Sequence, residues 1–210
     1  MRDRPVPTAD EVRQLVRSVV DALASEALQA GGTGAPAASA APQAGPAAPA
    51  SAGGERIAIG ADHGGYQLKD AIGTMLGEAG YPVTDCGTNG PAAVDSPDIA
   101  HAVATLVADG SCRWGIVVDG AGIGSCMVAN KVPGIRAACC HDLSSARNSR
   151  EHNHANVLTL GGRFVGEGLA IEIVRVWLGT PWAPGRHAAR VDKITDVERR
   201  YLKAQHEVSR

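Results

Sequence analysis

From Arg56 onward, short apolar runs alternate with stretches whose apolar residues recur every three or four positions. The runs Arg56–Ala61, Pro82–Cys86, Gly115–Val118, Ile135–Cys139 and Val157–Leu160 have the length of strands buried on both faces. The periodic stretches Tyr66–Ala79, Ile99–Ala108, Ile123–Asn130, Leu143–Glu151, Gly168–Leu178 and Val191–Gln205 have the step of amphipathic helices. Strands that alternate with helices predict a parallel sheet covered on both faces, a three-layer αβα fold of the Rossmann-like α/β class with five strands.

The first 54 residues follow other rules. Val12, Leu15, Val16, Val19, Val20, Leu23 and Leu28 form an apolar stripe, with Asp10, Arg13, Arg17 and Asp21 largely opposite. Thr8 and Glu11 have the spacing of a capping box, in which hydroxyl and carboxylate satisfy the free amides of a helix start. The pattern predicts a helix over 8–29, ended by Gly31 and Gly32. From residue 30 to 54 the chain is almost wholly Ala, Gly, Pro and Ser, and Pro36, Pro42, Pro46 and Pro49 forbid a continuous helix. Such a stretch builds no core and predicts a disordered linker with a reach of roughly 25–30 Å. The expected organisation is therefore a helix in 1–29, a linker in 30–54 and a folded domain in 55–210.

Composition narrows the classes. Of 210 residues, 20 are Lys or Arg and 22 are Asp or Glu, for a net charge of -2. That balance argues against a general nucleic-acid binder. No apolar run approaches the ~20 residues that span a bilayer, and the N-terminus lacks the order of a secretory signal. Five cysteines without a CxxC pair suggest neither a disulfide framework nor a zinc site, as expected of a reducing cytoplasm.

Ligands of open parallel sheets bind beyond the carboxyl ends of strands, often at helix N-termini. Polar groups stand at three such ends: Gly60-Ala61-Asp62-His63-Gly64-Gly65, Asp119-Gly120-Ala121-Gly122-Ile123-Gly124-Ser125, and His141-Asp142. The glycines of the second loop let backbone amides approach an anionic oxygen. Spacing alone is equally that of an ordinary tight turn, and it is not the dinucleotide fingerprint. His152 and His154 close a helix without a third ligand at metal spacing. Arg186 and Arg190, four apart around His187, could clamp a phosphate or form a solvated face.

Taken in order, these segments resemble the type B ribose-5-phosphate isomerase family, which includes galactose-6-phosphate isomerase subunits. The matching runs are Ile57–Gly65, Asp85–Thr88, Gly120–Gly124, Ala129–Ala137, Ser149–Asn153, Gly161–Arg163 and Gly185–His187. The resemblance implies a sugar-phosphate isomerase, most simply ribose 5-phosphate to ribulose 5-phosphate, with no metal and no organic cofactor. It implies a homodimer or homotetramer with active sites shared between subunits.

It also implies roles. Asp62 and His152 would open the sugar ring, with Asn153 nearby. Gly120, Gly122 and Gly124, followed by Ser125, would hold the enediolate. His63, Arg163, Arg186 and Arg190 would bind phosphate, supported by His187. Family members carry a catalytic Cys in the slot of Asp119 or a Glu in that of Ser125, and this chain has neither. Asp119, helped if burial raises its pKa, is the preferred proton-transfer base, and Cys126 the second candidate. Ala121 stands where the family often has a hydroxyl.

Residues 8–29 with their linker resemble the encapsulation peptides of bacterial microcompartment cargo. That implies shell or cargo proteins as partners and a location in the bacterial cytoplasm, inside a microcompartment. Self-association and packing on the chain's own domain are the alternatives. A membrane-surface role is disfavoured by the mixed charges of the polar face. For the domain itself, a non-catalytic sugar-phosphate-binding or scaffold protein is the competing reading. A nucleotide-dependent enzyme is disfavoured, because the first strand ends in Asp-His and not in a phosphate loop.

Overall fold

The computed structural model of the chain describes residues 55–208, with side chains described through residue 202. The helix expected over 8–29 and the linker over 30–54 lie outside the described residues. Five strands, β1 (Ile57–Ala61), β2 (Val83–Asp85), β3 (Trp114–Asp119), β4 (Ala137–Cys139) and β5 (Val157–Gly161), alternate with helices. These are α1 (Tyr66–Glu78), α2 (Ser96–Ala108), α3 (Ile123–Ala129), α4 (Leu143–Glu151), α5 (Glu167–Gly179) and α6 (Ala188–Val208), the last entered through a 3₁₀ turn at Gly185–His187. All neighbouring strands pair in parallel, in the order β2-β1-β3-β5-β4. The α/β class and every element expected from residue 55 onward are present, in the expected sequence.

Boundaries differ where local chemistry competes. β4 begins at Ala137 and not at Ile135, because Gly134 turns with φ +81° and the Ile135 amide is spent on the Val132 carbonyl. α2 begins at Ser96, three residues early, with Pro97 in its first turn, where a missing amide hydrogen costs nothing.

The three central strands are buried along their whole length. Alternation along a strand sends successive side chains to opposite faces. Ile57, Ile59, Ile116, Val118, Leu158 and Leu160 thus pack against α1, α4 and α5, around the fully buried Trp177. Ala58, Val117 and Val157 face α2 and α3. That second face is built small. A Cβ on Gly115 would sit 2.8 Å from a methyl of Val103, so α2 can lie close. The same alternation turns Asp119, the last residue of β3, toward the α3 layer.

Candidate active site

The loops after β1, β3 and β5 meet. Asp62 turns its own loop by accepting the Gly64 amide at 2.8 Å, which leaves its second oxygen uncommitted. The Arg163 amide donates to the Gly120 carbonyl at 3.1 Å, and its guanidinium lies 3.8 Å from where a Cβ on Gly120 would be. Gly162 packs on the Gly64 carbonyl. Asp62, the exposed His63, Gly120 and Arg163 therefore line one mouth at the carboxyl ends of the strands.

Asp119 organises the loop between β3 and α3. Its carboxylate is 5% exposed. One oxygen accepts the amides of Ala121 (2.8 Å) and Gly122, the other the amide (2.9 Å) and hydroxyl (2.5 Å) of Ser125. Four donors occupy the lone pairs of both oxygens. Burial pushes the carboxyl up, but the hydrogen bonds from Ser125, Gly122 and Ala121 outweigh it and hold the group below its ordinary range. The expectation that burial would raise Asp119 toward a useful base is thus corrected: its charge is spent on the loop. Gly122 takes φ +78°, and its carbonyl accepts the hydroxyl of the buried Thr159 at 2.7 Å. The amides of Gly120, Ile123 and Gly124 meet no acceptor among the described residues.

Cys126 lies one turn into α3. Its thiol donates to the Ala137 carbonyl at 3.4 Å and receives Asn130 Nδ2 at 3.5 Å. It is thus directed at the start of β4, away from the Asp119 loop.

A second group gathers at the other end of the sheet. α4 leaves the carboxyl end of β4 and returns beside it, so His152 and Asn153 come to lie where β4 and β5 begin. The His154 carbonyl there accepts Arg136 Nε at 2.9 Å, and the Asn156 amide donates to the Arg136 carbonyl at 3.1 Å. Asn148 orients both residues. Its Nδ2 donates to His152 Nδ1 at 2.8 Å, and its Oδ1 accepts from Asn153 Nδ2 at 3.1 Å. The His187 ring stacks on His152, centroids 4.1 Å apart at 11°. Arg186 Nε donates to His187 Nε2 at 3.4 Å. Burial and then the neighbouring His152, Arg186 and Arg190 push His187 below the usual imidazole value, so its ring stays neutral near pH 7. His154 is drawn off to stack on Trp182.

The end of α4 is anchored by a buried cation. The Arg150 guanidinium lies 3.9 Å from the Trp114 ring centre and 5.0 Å from that of Trp177. It donates to the Ala155 carbonyl at 2.5 Å and to that of Trp177 at 3.3 Å, and burial lowers its pKa to about 10. It remains charged near neutral pH and pins the turn that carries His152 and Asn153.

The sequence-derived site residues thus fall into two sets. Asp62, His63, Asp119, Gly120, Gly122, Gly124, Ser125 and Arg163 share the carboxyl end, and His152, Asn153, Arg186, His187 and Arg190 the amino end. The five residues of β5 separate them by roughly 15 Å. The strand periods and the direction of α4 carry this separation in the sequence, but only once the strands are known to be parallel.

Residues that motif reading did not single out hold these groups. Lys69, 1% exposed on α1, reaches Asp85 Oδ2 and Asn89 Oδ1, both at 2.6 Å. The other oxygen of Asp85 accepts the Gly87 amide at 2.8 Å, and the Gly87 carbonyl accepts the Ala61 amide, directly before Asp62. Lys69→Met is expected to cost about 1–3 kcal/mol, as for partners left unsatisfied, and less than a fully buried pair would, because Asp85 is half exposed. Denaturant titration measures it, and an unchanged midpoint would refute the role.

Among the described residues, no group of three or more His, Cys, Asp or Glu side chains could hold a metal ion. A family model described as Ribose/Galactose Isomerase matches residues 57–194. The chain is 45% identical over 146 residues to ribose-5-phosphate isomerase B of Escherichia coli, covering 70% of this chain and 98% of that protein. It is 44% identical over 140 residues to D-erythrulose-4-phosphate isomerase of Pectobacterium atrosepticum, covering 66% and 91%. The solved structure of ribose-5-phosphate isomerase B from Clostridium thermocellum superposes with a TM-score of 0.69 at 52% identity, covering 70% of this chain and 99% of that one.

Proposed function

The chain belongs to the ribose/galactose isomerase family, and we propose that it interconverts an aldose phosphate and its ketose phosphate, with ribose 5-phosphate and ribulose 5-phosphate as the first pair to test. The observation that carries this reading is the pair of half-sites. Phosphate needs cations and ring opening needs an acid and a base, and each end of the sheet holds part of that equipment. A site joining both ends needs a second copy of the chain, in which His152, Asn153, Arg186 and Arg190 of the partner subunit face Asp62, His63 and Arg163. The half-buried apolar face of α6, with Ile194, Val197 and Tyr201 exposed beside the edge strand β4, supports such an association.

In this site Asp62 and the partner's His152 exchange protons with the ring oxygen and anomeric hydroxyl. Nδ1 of His152 accepts from Asn148, so the neutral ring carries its proton on Nε2, the atom left for the sugar. The open aldose then gives its C2 proton to a base and the electron pair moves into an enediolate. The base returns a proton to C1, and the proton of the C2 hydroxyl passes to O1, which leaves a ketone at C2 and a hydroxyl at C1. The negative charge on the enediolate oxygens needs preorganised donors. The free amides of Gly120, Ile123 and Gly124 supply that chemistry.

Substrate length is open to a second reading. The relative named for D-erythrulose 4-phosphate is as similar as the one named for ribose 5-phosphate. A non-catalytic sugar-phosphate binder has one observation in its favour, the engagement of Asp119 and Cys126 elsewhere. A panel of four-, five- and six-carbon aldose phosphates, each followed to its ketose by NMR, separates these readings. Turnover of none, with binding retained, would leave the binder.

Residues 1–54 precede the family match, which begins at residue 57. We propose that the patterned helix over 8–29 delivers the enzyme to a microcompartment through shell or cargo proteins, on a tether that leaves its orientation free. Fusing residues 1–54 to a fluorescent protein tests this. Puncta are expected in cells that assemble the cognate shell, and diffuse signal there would refute it.

A further inference from the structure

His141 stands at the carboxyl end of β4 and takes no part in the chemistry described so far. Its Nε2 lies 3.2 Å from the Ala121 carbonyl oxygen. A carbonyl only accepts, so Nε2 carries the hydrogen of this contact. The Cys139 thiol approaches the same oxygen at 3.8 Å. At the far side of that peptide, the Gly122 amide donates to Asp119. One peptide plane, between Ala121 and Gly122, is therefore gripped at both ends, by a carboxylate on its N–H and an imidazole on its C=O.

The grip has something to hold against. Gly122 has φ 78° and ψ −10°, the values of the third residue of a type II turn. The type I turn of the same chain differs in its central peptide, which is rotated by about 180°. Glycine pays no Cβ penalty in either form, so this peptide is the loop's natural flipping point. In the observed form the Ala121 carbonyl points to the β4 side, and the amides of Gly120, Ile123 and Gly124 are free. Rotation would turn that carbonyl dipole toward the carboxylate and the loop's interior, where a developing oxyanion is repelled by it.

We propose that His141 is a positioning residue of the active site: its Nε2–H holds the Ala121 carbonyl on the β4 side, so that the turn offers amides and no carbonyl to the enediolate. The proposal rests on the isomerase reading for its catalytic consequence but not for the grip itself. The rest of the ring is open, exposed beside Phe164 at a centroid distance of 6.0 Å.

The test uses three variants of the full chain. Gln carries its amide nitrogen at the reach of Nε2, whereas Asn carries it at that of Nδ1. His141→Ala and His141→Asn are expected to lower kcat by about ten- to a hundredfold with KM little changed, and His141→Gln to recover most of it. Amide hydrogen exchange without substrate gives an independent reading. Exchange at Gly122 is expected to accelerate about tenfold in the Ala and Asn variants, a fold-change within the usual range for local opening, and to return in Gln. Exchange at Ile116, deep in β3, controls for folding. Unchanged exchange at Gly122 in His141→Ala, or an equal loss in Gln, would overturn the proposal. If the wild-type chain turns over no sugar phosphate, the isomerase reading fails, while the exchange result still decides the grip.

Discussion

Two inactive variants are expected to restore each other. Asp62→Asn and His152→Ala should each lower turnover by about three orders of magnitude, as loss of an acid–base group does. Asn at 62 keeps the oxygen that accepts the Gly64 amide, so the loop stays intact. His152 caps α4 and meets Asn148 and His187 at its surface, so truncation there leaves the core alone. Because the two residues lie at opposite ends of the sheet, a site assembled across a two-fold axis takes one from each protomer. A mixed dimer then has one site with both substitutions and one with neither. Random pairing by co-expression gives half mixed dimers, hence about a quarter of the wild-type rate. Activity that stays at the level of the single variants in purified mixed dimers would mean that each protomer completes its own site.

Asp119→Asn is expected to cost activity and stability together. Motif reading alone expects loss of isomerisation in an intact protein, the signature of a lost base. The geometry changes that expectation. Asn can offer only one oxygen to donors that occupy two, and its amide would meet the buried Ser125 N–H as donor against donor. Leaving one buried donor unmet costs about 1–3 kcal/mol, and the loosened loop should lower kcat by about a hundredfold or more. Thermal unfolding and steady-state kinetics on the same sample check both. Activity lost with the unfolding midpoint unchanged would return Asp119 to the role of base. Cys126→Ala is the companion, with near-normal kcat expected because its thiol is turned to β4.

The same carboxylate gives a pH signature. Its pKa in the folded chain lies below the unfolded value. The stability it lends is therefore complete above the ordinary carboxylate pKa and is lost as pH falls through the lowered folded value. Stability should decline below about pH 4, and the decline should be shallower in Asp119→Asn. His187 and His154 act earlier. Both are held below the usual imidazole value, so the unfolded chain takes up protons first and stability falls as pH drops below about 6.5.

Much of the fold was legible because its signals are local. Strand runs such as Ile57–Ala61 and helical repeats such as Tyr66–Glu78 carry their own periodicity, and Gly134 or Pro97 shift a boundary by two or three residues without changing the element. The candidate site was legible only as an inventory. Asp62, His152 and Arg186 are visible as residue types at strand and helix ends, but their distances are not. His141 was visible as a strand-end polar group, with no sign of what it touches. Asn148 and Lys69 look like ordinary helix surface positions, because the groups that give them a role come from elsewhere in the chain.

By itself the sequence determined the element order, the parallel α/β class and the candidate residues. Each follows from side-chain periodicity or composition within a short window. The tertiary structure alone decided the strand order β2-β1-β3-β5-β4, the division of the site residues between two ends of the sheet, and the turning of Asp119 into its own loop. These depend on hydrogen-bond partners and packing faces supplied by distant segments, such as Thr159 of β5 on Gly122, or Asp85 at the end of β2 on Lys69. A carboxylate at a strand end reads as a base until its neighbours are known. Around Asp119, four donors hold the charge on its own loop and keep the carboxyl below its ordinary range.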